Sequence, residues 1–98
     1  MIRREGAGML VEGPLNLETV TPLVESGATM IAAGAEVVDL ARTTDVDSSA
    51  VALLLEWTRR ARSAGRPLAI VNAPVAFRSL VELYGVEPLL PCNAAPAR

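Results

Sequence analysis

The chain has 98 residues, half of them hydrophobic, with nine Arg, no Lys, eleven acidic residues and a formal charge of −2. That length suits one domain with a modest core, and the slightly acidic balance argues against a nucleic-acid footprint. Histidine is absent and cysteine occurs once, at Cys92, which removes histidine acid–base chemistry, serine–histidine triads, histidine or cysteine-cluster metal sites and an internal disulfide.

From the N-terminus, Met9 to Glu12 reads as a short strand, with Gly6, Gly8 and the Gly13-Pro14 pair as breakers around it. Asn16 is a candidate cap for a helix from about Thr19 to Ala33, in which Leu23, Gly27, Met30 and Ile31 share a face and Gly34 ends the run. Glu36 to Ala41 is a near-continuous apolar strand of the buried kind. After a polar turn, Ser49 to Ala64 reads as a helix with Ala50, Val51, Leu54, Trp57, Thr58 and Ala61 on one face. Leu53 and Leu55 flank that face on opposite sides, so its apolar arc is wider than one sheet face covers. Gly65 is the expected C′ residue, with Arg62 and Arg66 at the negative end of the helix dipole.

Pro67 to Val71 is a further buried strand, followed by Asn72 as cap and Pro74 in the first turn of a helix to Tyr84. Val86 to Leu90 reads as a last extended segment at a sheet edge, and residues 92–98 as a frayed tail. The expectation is a single α/β domain over residues 1–91, a small mainly parallel or mixed sheet with three helices packed on it. In particular, the Val37–Leu40 and Leu68–Val71 strands are expected to be parallel neighbours. No apolar run approaches the ~18 residues of a spanning helix and no secretory signal opens the chain. The expected setting is the cytoplasm, without insertion into a membrane.

Chemistry concentrates in the turn between the Glu36–Ala41 strand and the following helix. Thr43, Thr44, Asp45 and Asp47 precede Ser48 and Ser49, so small hydroxyls sit at the positive end of a helix. The plain expectation is that Ser48 or Ser49 caps the helix. Asp45 and Asp47 are spaced like a Mg²⁺ pair, but nothing else in the sequence completes such a site, so they read as turn formers. Asp39, in an apolar strand, is expected to be bonded to loop amides. No glycine-rich phosphate loop exists, because Gly6-Ala7-Gly8 lacks the Lys and the following helix. Neither an enzyme nor a cofactor is expected.

The run Val37-Val38-Asp39-Leu40, then Val46-Asp47-Ser48-Ser49-Ala50, then a Leu-rich helix resembles the STAS domain, the fold of bacterial anti-sigma factor antagonists and sulfate-transporter tails. The order continues through Gly65-Arg66-Pro67-Leu68 and Leu80-Val81-Glu82-Leu83-Tyr84-Gly85-Val86. The resemblance implies a non-enzymatic binding module with Ser48, Ser49 and Asp47 as partner-binding or phosphorylation residues, and the wide apolar arc of the helix adds Leu53 to them. Thr44, Asp45, Ala52 and Glu56 extend that surface. Two partners follow. The tail of the chain looks more like the Mla branch, which implies the ATPase subunit of an ABC-type phospholipid transporter, with the chain held at the inner membrane through it and serving outer-membrane lipid asymmetry. The alternative is an anti-sigma factor serine kinase that phosphorylates Ser48 in partner switching. The Arg59–Arg66 cluster reads first as a solvated face and second as a surface for an acidic partner.

Overall fold

A computed structural model describes residues 1–90; the expectations for Cys92 and the tail lie outside them. A hairpin of two strands opens the chain and helices and strands alternate after it: β1 (Ile2–Glu5), β2 (Gly8–Pro14), α1 (Val20–Ala32), β3 (Val37–Thr44), α2 (Ser48–Ser63), β4 (Ala69–Val71) and α3 (Val75–Tyr84), with a short 3₁₀ turn over Glu87–Leu89. The sheet order is β1-β2-β3-β4; β1 runs antiparallel to β2, and the two inner pairs are parallel. The expected β3–β4 neighbours are present, with Val37 opposite Ala69 and Val38 opposite Ile70.

Strand alternation assigns the faces. Met9, Val11, Val38, Leu40 and Ile70 are at most 1% exposed and form the sheet side of the core. Above them α2 lies between α1 and α3, packing against both. That placement explains most of the wide apolar arc of α2: the sheet and the two neighbouring helices cover all of it but the Leu55 edge. Leu53 is 2% exposed and Leu55 half-buried, so Leu53 belongs to the core and offers no surface to a partner.

The α1–α2 seam has a specific closure. Gly27 on α1 has the Trp57 indole where a Cβ would sit, and the indole N–H donates to the Val24 carbonyl oxygen at 3.1 Å. Glycine weakens a helix interior, yet here it lets the largest core side chain lie flat against the backbone.

One strand was not expected, and other expectations require correction. β1 reads Ile-Arg-Arg-Glu, an edge strand with a single apolar residue, so it carries no period-2 signal; Gly6, with φ +60°, turns it into β2. The Val86–Leu90 segment is a 3₁₀ turn rather than an edge strand, with Pro88 inside it and Leu90 buried at 5% exposure. Asn72 does not cap α3, whose N-cap is Pro74 without a side-chain bond. Instead Asn72 adopts φ +57° and its amide donates to Asp39 Oδ1 at 3.1 Å. The same oxygen accepts from the Ala41 amide at 2.9 Å, an amide of β3 itself and not of a loop as expected, and through Asn72 Asp39 ties β3 to the end of β4.

Candidate partner-binding site

β3 delivers the chain to the N-terminus of α2 through three residues, and the first, Asp45, turns the backbone with φ +43°, a conformation that Asp tolerates better than most residues. The cap of α2 is Asp47, neither of the serines expected for it. Its Oδ1 accepts the Ser49 amide at 2.8 Å, satisfying one of the donors a helix start leaves unpaired. The second carboxylate oxygen accepts the Leu17 amide at 3.3 Å. The Asp47 amide donates to the Leu15 carbonyl oxygen at 3.2 Å, and the Leu15 amide donates to Thr44 O at 3.1 Å. Leu15 itself is fully buried. The loop is thus pinned at both ends to the segment that follows β2.

With capping done by Asp47, Ser48 is left as the first residue of the helix. It is exposed, and its hydroxyl makes no hydrogen bond among the described residues. Ser49 is half-buried beside it. Thr44, Asp45 and Ala52 are exposed around Ser48, while Ala50 and Val51 beneath are buried. Leu17, 74% exposed, stands over the same end of α2 because its amide is bonded to Asp47. Sequence reasoning missed Leu17: the Asn16–Thr19 turn has no periodicity, and its contact with Asp47 spans 30 positions of chain.

Glu56 is not a free contact residue. It accepts from Arg59 Nη2 and Arg60 Nε, both at 2.7 Å, and these bonds, Arg59 first, hold its carboxyl down at about 2. Arg60 continues to Glu25 on α1, with Nη2 3.0 Å from Oε2, and its guanidinium is shifted up by Glu25 and then Glu56. Among the described residues no group of three or more metal-ligating side chains comes together, and the Asp45–Asp47 pair divides between turn and cap. The site offers an exposed hydroxyl at a helix N-terminus, framed by small, acidic and apolar side chains.

The family model described as "Mlab, STAS domain" matches residues 2–91. The chain belongs to the STAS domain family. Among solved structures, it is similar to the anti-sigma factor antagonist SpoIIAA from Bacillus in its unphosphorylated form, at 19% identity and TM-score 0.70 over 97% of this chain and 88% of that one. The phosphorylated form of SpoIIAA aligns with TM-score 0.66, also at 19% identity, over 97% of this chain and 91% of that one. An anti-sigma factor antagonist from Mycobacterium paratuberculosis aligns with TM-score 0.76 at 16% identity, over 98% and 85%. At these identities the likeness is one of fold. No curated protein matches the chain.

Proposed function

We propose that the chain is a non-enzymatic docking module whose partner protein seats on the Ser48 end of α2. The observation that carries this reading is the division of labour between neighbours: Asp47 caps the helix, so the exposed Ser48 hydroxyl has no structural task. Thr44, Asp45, Ala52 and Leu17 supply the surrounding contact area, and Ser49 backs it.

Two partners are supported by different observations. The structural neighbours are anti-sigma factor antagonists, and they favour partner switching, with a serine kinase phosphorylating Ser48. A phosphate there gains from the amides and dipole of the helix start and is opposed by Asp45 and Asp47. The family model's description names Mlab, which supports the second reading, a subunit that binds and regulates the ATPase of an ABC-type phospholipid transporter at the inner membrane.

The test uses purified candidates of both kinds from the source organism, a transporter ATPase and an anti-sigma serine kinase, each mixed with the wild-type chain and with Ser48→Arg. Binding of one candidate that is lost in the still-folded Arg variant is the expected result. An ATPase rate altered by the chain selects the transporter. A phosphate-sized mass gain localised to Ser48 after incubation with kinase and ATP selects partner switching. Equal binding by wild type and Ser48→Arg sinks the docking reading.

A further inference from the structure

The C-terminal half of α2 carries a feature that capping, core packing and the Ser48 surface leave unused. A trough of about 300 Å³ runs beside the helix, lined by Leu55, Thr58, Arg59, Arg62, Ser63 and Leu89. It adjoins a smaller hollow of about 150 Å³ that shares Thr58 and Arg62 and adds Arg66, Pro67 and Leu68. No carboxylate lines either space. Arg60 is bound to Glu25 and Glu56, and Arg59 to Glu56. Arg62 and Arg66 have no carboxylate within salt-bridge distance among the described residues, on a molecule whose net charge is negative.

Two further observations separate this trough from an ordinary solvated face. Its apolar part is open: Leu89 is 51% exposed, and Leu55 is the half-buried member of the α2 arc that the neighbouring helices do not close. Its wall also contains Thr58, 6% exposed, whose Oγ1 is the buried side-chain oxygen without a hydrogen-bond partner among the described residues. Buried hydroxyls are almost always bonded. The helix dipole explains why arginines stand at this end of α2, but it explains neither the open leucines nor the orphaned hydroxyl.

We propose that this trough receives a short acidic segment of the docked partner protein, one that sets carboxylates against Arg62 and Arg66 and an apolar side chain between Leu55 and Leu89. The inference rests on the docking reading above and names the chemistry of what docks. Guanidinium groups suit carboxylates because their planar forks accept bidentate pairing. The trough is concave and of a size for one or two side chains, which fits a peptide and not a flat lipid surface. The negative net charge of the chain disfavours an anionic membrane further.

Its position is continuous with the Ser48 surface. Ser48, Ala52, Leu55, Arg59 and Arg62 fall at steps of four and three along α2, one stripe of the helix. All are exposed except the half-buried Leu55. The stripe is roughly 21 Å long at 1.5 Å per residue, so one partner lying along it reaches both ends.

The probe is a fluorescein-labelled peptide of alternating Glu and Leu residues, read by anisotropy against the full chain at low salt. A Lys-for-Glu version of the peptide and vesicles containing phosphatidylglycerol serve as comparisons. The acidic peptide is expected to bind, the Lys version not, and Arg62→Gln combined with Arg66→Gln to weaken binding at least tenfold while far-UV dichroism stays near wild type and the thermal midpoint falls only by the few degrees that losing two dipole-complementing charges brings. Acidic-peptide affinity that the double variant leaves unchanged overturns the proposal, as does the absence of binding. Vesicle binding that outcompetes the peptide also overturns it, in favour of a lipid surface. Ser48→Arg keeps the two readings apart: it is expected to bind the peptide normally while losing the partner. A Ser48→Arg chain that keeps its partner, with the double variant losing the peptide, removes the Ser48 reading and leaves the trough.

Discussion

Asp47 and Ser48 are adjacent and polar, and only the structure separates their tasks. Any of the polar residues from Asp45 to Ser49 fits the sequence signature of a helix start. The choice among them is made by the carboxylate's second bond, to the Leu17 amide, which no local pattern reveals. Asp47→Ala is therefore expected to lower stability by about 1–2 kcal/mol. Ser48→Ala is expected to stay within about 0.5 kcal/mol of wild type, as surface changes away from such features do. Urea denaturation of both variants checks this, and equal losses would return the cap to the serines. Gly27 is the other residue where the sequence misleads, since it reads as a weak point in α1. Its Cβ position is occupied by the Trp57 indole, so Gly27→Ala is expected to cost about 3 kcal/mol by overpacking, or more if the backbone must separate. A stabilised Gly27→Ala, the usual outcome in an exposed helix, would mean that the seam is looser than described.

Element identities were the most legible part of the chain. All three helices follow from apolar periodicity, because each buries one face, and the strands β3 and β4 follow from short continuous apolar runs. The elements that escaped, β1 and the Glu87–Leu89 turn, are short and bury little, so neither needs an apolar pattern that the sequence would display. Within α2, the Glu56–Arg59–Arg60 cluster joins one helix turn to the next and reaches α1 through Glu25. Its pH dependence has a defined sign. Glu56 titrates near 4.5 when unperturbed and at about 2 in the fold, so the folded chain holds fewer protons than the unfolded one between those values. The cluster's contribution is complete above about 4.5 and is lost as pH falls toward 2. The thermal midpoint of Glu56→Gln should lie below wild type at neutral pH and converge with it at the acid end. Parallel curves across that range would assign the acid sensitivity to other carboxylates.

For the molecule as a whole, the α/β class and the parallel pairing of β3 with β4 were readable, the antiparallel pairing of β1 with β2 was not, and the candidate site was legible only in its polar turn. Ser48 was marked by the polar turn. Helix geometry with a single covering layer puts Leu53 on the partner surface, and the central position of α2, which leaves Leu53 2% exposed, overturns that. A Leu53→Ala variant is expected to lose about 2–5 kcal/mol as a core truncation. Partner affinity should be unchanged once the variant is held below its melting point. Calorimetric titration of the folded fraction separates the two effects, and a selective loss of binding would restore Leu53 to the interface.

Trp57 is the single tryptophan of the chain, and it lies where α1 meets α2, fully shielded and bonded across the seam to Val24. Its emission is therefore a label already built into the protein, reporting the mutual grip of the two helices and little else. Loosening of that seam, by Gly27→Ala or by a partner that pries α2 away from α1, should shift the spectrum to longer wavelength and open the indole to iodide quenching. A partner that only rests on the outer stripe of α2 should leave both signals as they are. One spectrum, taken with and without the partner, thus tells whether docking reaches the interior.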